Sequence, residues 1–201
     1  MDETALIEDA QRGDLDAFNR LVLAYQDMLY GQAYRMMGEK YAAEDATQEA
    51  FISAFKKLNS YRGGSFKAWL LRIVTNACYD EMRRRKRRPT TQLEPVNDEN
   101  EPIESPSWLT DPGESPEQAA QRSEIRAALE HCLQHLPNDF RAVVLLVDIQ
   151  GLDYAEAASV IGRPLGTVKS RLARARVRMR DCMNNFGELI STPYRLVEES
   201  E

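Results

Sequence analysis

Residues 153–180 read DYAEAASVIGRPLGTVKSRLARARVRMR, and their pattern indicates the fold of the C-terminal part of the chain. It has the form of a short helix, a turn that contains glycine, and a second helix, which is the helix-turn-helix pattern. Asp153 is a suitable N-cap for the first helix, and Gly162 is a residue that ends it. We therefore expect two packed helices in this part of the chain.

The second helix of this stretch separates its residues by chemical type when they are placed at about 100° per residue. One face is apolar and must be buried, a basic face lies on each side of it, and small residues lie opposite it. The apolar face consists of Val168, Leu172, Ala175 and Met179. The basic faces consist of Lys169, Arg176 and Arg180 on one side and Arg171, Arg174 and Arg178 on the other. The small residues are Gly166, Thr167, Ser170, Ala173 and Val177.

This arrangement is typical of a helix that lies in the major groove of DNA. Small outward residues let the backbone approach the base edges, and cations on both flanks reach the phosphates. Thr167 and the backbone N–H groups at the helix start are also suited to hold a phosphate. The alternative is a solvent-exposed basic helix that has no ligand.

Charge is distributed unevenly along this chain of 201 residues, whose formal net charge is −6. Residues 62–88 carry nine Lys or Arg against two acids, and residues 169–182 carry six bases against one acid. Residues 89–121 carry eight acids and no base. The overall acidity therefore does not exclude a polyanionic partner for the two basic segments.

The acidic segment also holds six of the nine prolines. Proline at this density prevents a regular helix, and like charges extend the chain. Hydrophobic spacing is helical on both sides of the segment and strand-like alternation is absent, so the predicted fold class is all-α. The predicted organisation is an N-terminal helical bundle over 1–88, an acidic, Pro-rich linker over 89–121, a C-terminal four-helix domain with the helix-turn-helix over 122–183, and a tail over 184–201.

Two details of the helices are also predicted. A helix from about residue 42 to residue 58 places Ala46 and Ala50, Ile52 or Phe51, and Phe55 near its apolar face. The predicted N-caps of further helices are Asp14, Ser65, and Asn138 or Asp139.

Three cysteines, Cys78, Cys132 and Cys182, are odd in number and widely spaced. This argues against a disulfide framework and favours a reducing cytoplasm. No apolar run reaches the length of a membrane span, and the acidic N-terminus does not resemble a signal peptide. His131 and His135 flank Cys132 at a spacing that suits a metal, but no second ligand pair lies nearby in sequence. We expect a surface position or a helix interface there, no metal and no cofactor.

Four stretches together resemble the extracytoplasmic-function sigma factors of the sigma-70 family, which are specificity subunits of bacterial RNA polymerase. They are AEDATQEAF (43–51), YRGGSF (61–66), AWLLRIVTNACYDEMRRRKRR (68–88) and GTVKSRLARAR (166–176). The resemblance covers about residues 8–88 and 118–183. It implies a protein that binds core polymerase, directs it to promoters and helps to melt the minus-ten region, with no catalytic activity of its own.

The resemblance also implies site residues. The surface that docks on the polymerase is expected at Asp45, Gln48, Glu49, Phe51 and Ile52. The minus-ten element is expected to contact Tyr61, Arg62, Gly63, Gly64, Ser65, Asn76, Arg83 and Arg84, whereas Trp69 is expected in the core. The minus-thirty-five element is expected to contact Lys169, Ser170, Ala173 and Arg174, with Thr167, Arg171 and Arg176 on phosphates.

The implied partners are core RNA polymerase, through the coiled coil of its largest subunit and its flap, promoter DNA, and an anti-sigma factor. The acidic linker is expected either to occupy a basic channel of the polymerase or to be a passive tether. No membrane insertion is expected, and the implied location is the cytoplasm. Two other classes are alternatives, a helix-turn-helix repressor or response-regulator output protein, and an interaction adaptor. An enzyme is disfavoured because no nucleophile–base pair, metal set or phosphate-binding glycine loop is present in the sequence.

Overall fold

The computed structural model describes residues 2–87 and 116–186, and every regular element in these two ranges is helical. The predicted all-α class is therefore confirmed for the described chain. Most of the predicted acidic linker and most of the predicted tail lie outside the described residues. None of the described helices is both long enough and apolar enough to cross a membrane.

The N-terminal half is a bundle of four helices. Asp14 caps the second helix as predicted, because its Oδ1 accepts hydrogen bonds from the backbone N–H groups of Asp16 at 2.9 Å and Ala17 at 3.2 Å. The short first helix was not predicted, and it buries Leu6 and Ile7 against the rest of the bundle. The four helices are α1 (Glu3–Gln11), α2 (Leu15–Met37), α3 (Lys40–Lys57) and α4 (Phe66–Arg87).

Helix α3 packs through alanines, as predicted for Ala46 and Ala50, whereas the expected inward position of Phe55 is wrong. Ile52 and Phe55 are 48 % and 46 % exposed, whereas Phe51 is half-buried against the core. The buried stripe has small side chains, so α3 can approach α2 and α4 closely and the larger apolar groups remain on the outer face. The stripe consists of Ala42, Ala43, Ala46, Ala50 and Ala54.

The C-terminal half contains four further helices and one π-helical turn. Helix α5 begins at Pro116, inside the predicted linker, and proline is well accepted in the first turn of a helix. The prediction that Asn138 or Asp139 caps α6 was wrong, because Pro137 holds the cap position without a side-chain hydrogen bond. The elements are α5 (Pro116–Gln134), α6 (Asn138–Val144), the π-helical turn Leu145–Ile149, α7 (Tyr154–Ile161) and α8 (Leu165–Asn184).

Helices α7 and α8 form the predicted helix-turn-helix. Asp153 and Glu156 form a reciprocal capping box at the start of α7. Gly162 ends α7 with a φ of 62°, a left-handed conformation that glycine adopts without the steric cost of a Cβ atom. The two predicted boundary residues, Asp153 and Gly162, are therefore confirmed.

The two halves contact each other through polar groups as well as apolar ones. The Lys67 ammonium donates to the carbonyl of Gln150 at 2.6 Å, which joins α4 to the chain before α7. Gln134 Nε2 donates to the carbonyl of Arg35 at 3.0 Å, near the end of α2. These bonds place the start of α4 beside the helix-turn-helix domain.

Candidate nucleic-acid interface

Helix α8 buries the face that the sequence predicts. Val168, Leu172 and Ala175 are each at most 2 % exposed, and Met179 packs against the same core as a half-buried side chain. The opposite face consists of small or short side chains that remain accessible. Gly166, Ser170, Ala173 and Val177 are exposed there, and Thr167 is half-buried.

Two of the arginines on α8 are held by carboxylates of the preceding elements. Arg171 Nη2 lies 2.7 Å from Asp139 Oδ2 in the first turn of α6. Arg176 donates from Nε at 3.1 Å and from Nη2 at 2.5 Å to the carboxylate of Asp148 in the π-helical turn. The hydrogen bond that Arg176 donates to the Asp148 carboxylate raises the pKa of Arg176. These ion pairs join α8 to the elements that precede the helix-turn-helix.

The other cations of the outer face are less constrained. Lys169 Nζ lies 5.8 Å from the ring centroid of Tyr154, and the Arg178 guanidinium lies 5.1 Å from that of Phe140. Arg174 is exposed, and within residues 2–87 and 119–186 it has no ion pair or side-chain hydrogen bond. The charged groups of Lys169 and Arg174 are therefore available to an external anion or base edge.

The loop before α4 is shaped by an aromatic cluster. The Tyr61 hydroxyl donates to the carbonyl of Gly64 at 2.7 Å, and the Tyr61 ring lies 5.3 Å from Phe66 and 5.4 Å from Trp69, measured between centroids. Burial raises the pKa of Tyr61. Gly63 and Gly64 have φ values of 96° and 93°, which favour glycine at both positions. Trp69 is half-buried against the core, as expected.

The remaining loop residues and Asn76 lie on the accessible side of α4. Ser65 Oγ accepts from the backbone N–H of Ala68 at 3.1 Å and so caps α4, as predicted. Arg62 is exposed and donates to the carbonyl of Asn59 at 2.8 Å. The amide of Asn76 is exposed and has no hydrogen-bond partner among the described side chains and backbone.

The basic end of α4 is only partly neutralised. Arg83 Nη1 lies 3.3 Å from Asp80, and Arg84 pairs with Glu81, yet these two arginine side chains remain 68 % and 66 % exposed. Arg85 donates to Glu81 at 2.8 Å, and this hydrogen bond is the main reason why the pKa of Glu81 is lowered. An exposed excess of positive charge therefore remains at the end of α4.

Helix α3 presents a separate surface without basic residues in its centre. Asp45, Gln48, Glu49 and Ile52 are exposed together, at the i, i+3, i+4 and i+7 positions of one helical face. Phe55 extends this face by one turn, and its ring packs on Phe18 with centroids 5.0 Å apart. The exposed apolar pair is thus Ile52 and Phe55, because Phe51 turns toward the core.

Both helical halves match known protein families. Residues 21–88 match the family model described as Sigma-70 region 2, and residues 126–179 match the one described as Sigma-70, region 4. The RNA polymerase sigma-H factor of Pseudomonas aeruginosa is 41 % identical over 172 residues, which cover 85 % of this chain and 88 % of that protein. The chain belongs to the extracytoplasmic-function sigma factors.

Two further similarities agree with this assignment. The ECF RNA polymerase sigma factor SigE of Mycolicibacterium smegmatis is 40 % identical over 167 residues, which are 83 % of this chain but 62 % of the length of that relative. The crystal structure of the sigma factor RpoE in complex with the anti-sigma factor NepR, from Bartonella quintana, matches with a TM-score of 0.64 at 27 % identity. That match covers 85 % of this sigma factor and 98 % of the solved chain. The repressor and response-regulator alternative is not favoured, because it does not account for region 2.

The cysteine prediction needs a correction in this sigma factor. Cys132 of α5 and Cys182 of α8 form a disulfide, with their Cα atoms 5.8 Å apart. Cys132 therefore binds Cys182 rather than forming a site with its histidine neighbours. His135 Nδ1 lies 2.8 Å from the carbonyl of His131. Among the described residues, no group of three or more His, Cys, Asp or Glu is placed to hold a metal ion.

Sequence reasoning missed the carboxylates that position α8. Asp139 and Asp148 lie 32 and 28 residues before their arginine partners, so helical spacing gave no signal for either ion pair. It also missed Phe55 as part of the exposed face of α3. The signal available there was its position three residues after Ile52, on the side of the helix opposite the alanines.

Proposed function

We propose that this sigma factor uses three separate surfaces to start transcription. Helix α3 docks on core RNA polymerase, the loop 61–65 with α4 contacts the minus-ten element, and the outer face of α8 contacts the minus-thirty-five element. The observation that carries the proposal is the outer face of α8, where small exposed residues lie between the exposed cations Lys169 and Arg174. The proposed divisions are 1–88 for region 2, 89–121 for the linker, 122–183 for region 4 and 184–201 for the tail, with α5 extending the helical part back to Pro116.

On α8, base contacts and phosphate contacts fall to different residues. We assign base-edge contacts to the exposed face of Lys169, Ser170, Ala173 and Arg174, since Arg174 can donate two hydrogen bonds to a guanine. Thr167, Arg171 and Arg176 are assigned to phosphates. The carboxylates that pair with Arg171 and Arg176 offset part of the positive charge that these arginines present to DNA. We therefore assign to the two ion pairs mainly the orientation of α8.

The minus-ten surface combines a shaped loop with an exposed amide. A base that is turned out of the duplex loses its stacking, so a protein that traps it needs a preformed site with polar edge contacts. Asn76 supplies an exposed amide, and Arg62 an exposed guanidinium. The Tyr61 ring and the two glycines set the shape of the loop. Arg83 and Arg84 supply positive charge for phosphates at the other end of α4.

Helix α3 is assigned to the polymerase. Its acidic groups, Asp45 and Glu49, suit a basic partner, and the exposed Ile52 and Phe55 can bury apolar area in the same contact. Charged groups in such a surface mainly determine specificity and association rate. The partner that we assign is the coiled coil of the largest polymerase subunit, with the polymerase flap as the partner of region 4.

The remaining assignments concern regulation and location. We propose an anti-sigma factor as a further partner, supported by the solved relative from Bartonella quintana, whose structure contains one. We assign the protein to the cytoplasm, where its polymerase is found, with no catalytic activity, no cofactor and no insertion into a membrane. A separate nucleophile or metal centre is not needed for a protein that acts by binding polymerase and DNA.

Reconstituted transcription tests the function. Purified core polymerase is incubated with pooled genomic fragments of the source organism, with and without the full chain, and transcript 5′ ends are mapped. We expect new start sites that share two sequence elements at a fixed spacing and that appear only with the chain. Identical start sites in both reactions would contradict the assignment.

A pair of variants tests the roles on α8. With holoenzyme and a promoter found in that experiment, Arg174→Ala should weaken binding by about 1–3 kcal/mol and relax the base preference at one position. Arg176→Ala should weaken all sequences alike, and adding Asp148→Asn should restore part of the loss because it removes the released carboxylate. Fluorescence anisotropy over matched and substituted duplexes measures both. Equal selectivity profiles for the two single variants would overturn the division of roles.

A further inference from the structure

The disulfide lies where the core of the C-terminal domain gives α8 little support. Ala175 is the last buried residue of α8, and after it only partly buried side chains face the domain. Cys182 is one of these, two turns beyond Ala175, and it is bonded to Cys132 of α5, which is 1 % exposed. The covalent link thus holds the last turns of α8 on α5 where apolar packing is thin.

The two cysteines of the disulfide differ in solvent exposure, and the third cysteine is a buried free thiol. Cys182 is partly exposed, so a small oxidant or a thiol can approach it, whereas Cys132 is enclosed. Cys78 is buried in α4, in the other half of the molecule, and burial raises the pKa of its thiol to about 12. A thiol with that pKa remains protonated and is a poor nucleophile, so Cys78 is not expected to react with a mild oxidant.

We propose that Cys132 and Cys182 are a reversible oxidation site that controls how firmly the C-terminal end of α8 is held on α5. Oxidation and reduction do not involve the base-contacting part of α8, because Val168 and Leu172 pack that part of the helix and Arg171 pairs with Asp139. The site therefore controls the rigidity of the domain that carries α8, rather than a direct contact with DNA. It is independent of the contacts assigned above to polymerase and promoter.

The chemistry balances with a peroxide as oxidant. The thiolate of Cys182 attacks one peroxide oxygen, which gives a sulfenic acid and releases hydroxide, which is protonated to water. The thiol of Cys132 then attacks the sulfenic sulfur, the S–S bond forms and a second water leaves. Two thiols and one hydrogen peroxide thus yield one disulfide and two waters. A cellular or added dithiol reverses the step by thiol–disulfide exchange and is itself oxidised to a disulfide.

The first experiment tests whether the site forms in the folded protein. The full chain is reduced with a dithiol, freed of reductant, exposed to hydrogen peroxide and alkylated, and the alkylated peptides are identified by mass spectrometry. We expect Cys132 and Cys182 to become linked within one chain, with the loss of two hydrogen atoms, while Cys78 stays a free thiol. Continued alkylation of both Cys132 and Cys182 after peroxide, or linkage between chains, would overturn the proposal.

The second experiment tests what the bond does. Hydrogen exchange is followed in the same wild-type chain in its oxidised and reduced forms, so no variant has to fold. Oxidation should slow exchange by about tenfold in peptides that cover the last turns of α8 and the facing part of α5, and leave the peptides of α2 and α3 unchanged. If the bond forms and exchange rates in α8 do not change, the bond does not hold the helix and the proposal is wrong.

Matched cysteine variants separate the pair from general oxidation. Cys78→Ala should retain the full difference between the oxidised and reduced forms, because Cys78 lies outside the pair. Cys182→Ser should abolish the difference and exchange like the reduced wild type in both conditions. A redox response that persists in Cys182→Ser would assign the effect to another residue and would contradict the proposal.

Discussion

At the scale of single residues, the buried side chain of Arg141, which is 6 % exposed, donates hydrogen bonds to several backbone carbonyls. Its guanidinium donates to the carbonyls of Leu133 at 2.8 Å, Leu136 at 3.2 Å and Gln134, and to that of Met36 at 2.6 Å. Burial lowers the pKa of Arg141. The guanidinium is nevertheless charged, because an arginine is not deprotonated in proteins. The carbonyls near the ends of α2 and α5 are thus satisfied by one cation, as the negative pole of a helix favours.

Replacing Arg141 therefore leaves several buried carbonyls without donors. We expect Arg141→Ala to lower the free energy of unfolding by at least about 2 kcal/mol, and Arg141→Lys to lower it by less, because an ammonium cannot reproduce the planar fork. Urea unfolding of the full chain measures both, with the exposed Arg180→Ala as control. An unfolding midpoint for Arg141→Ala equal to that of the control would show that the network adds nothing to stability.

At the scale of elements, the sequence predicts the features that depend on residues close together in the chain. The faces of α8 follow from a period of 3.6 residues, and the caps at Asp14, Ser65 and Asp153 follow from side chains that bond their own helix. The outer position of Ile52 depends on how closely α3 packs on its neighbours, which the period alone does not contain. The disulfide and the ion pairs of α8 join residues 28 to 50 positions apart, so only the tertiary fold brings them together.

The acidic face of α3 is expected to be required for association with core polymerase. Asp45→Arg combined with Glu49→Arg should abolish association with core polymerase and leave helical content unchanged, because both side chains are exposed and one turn apart. Size-exclusion chromatography with core polymerase and circular dichroism measure the two quantities. The matched control is Glu8→Arg with Asp27→Arg, which makes the same change in net charge at exposed sites outside α3. Retention of wild-type association by the α3 variant would place the docking surface elsewhere.

At the scale of the whole molecule, region 2 and region 4 are packed against each other, with α4 in contact with the helix-turn-helix domain. A compact chain of this length has a radius of gyration of roughly 17 Å. Two DNA elements centred about 25 base pairs apart are separated by roughly 85 Å at about 3.4 Å per base pair. If α4 and α8 contact the two elements as proposed above, the described arrangement cannot reach both at once, so we expect α4 to separate from the helix-turn-helix domain on promoter binding.

Two side-chain donors can be removed to weaken the packed arrangement without changing either half. Lys67 Nζ donates to the carbonyl of Gln150 at 2.6 Å, and the Tyr79 hydroxyl lies 3.4 Å from Asp139 Oδ1. Lys67→Met and Tyr79→Phe keep the apolar parts of both side chains and remove only the polar atom that each contributes to the contact between the halves. Each hydrogen bond is worth about 0.5–1.5 kcal/mol, so the double variant should raise the ratio of separated to packed molecules by roughly 5- to 150-fold.

Small-angle X-ray scattering of the free full chain gives the decisive comparison. The double variant should have a larger radius of gyration than the wild type, and it should assemble with core polymerase faster, because the separated form no longer has to be reached first. The matched control is Lys57→Met with Tyr41→Phe, which makes the same chemical changes at exposed positions on α3. Equal radii for the double variant and this control would mean that these two bonds do not hold the halves together. A larger radius without faster assembly would mean that separation of the halves does not limit the formation of holoenzyme.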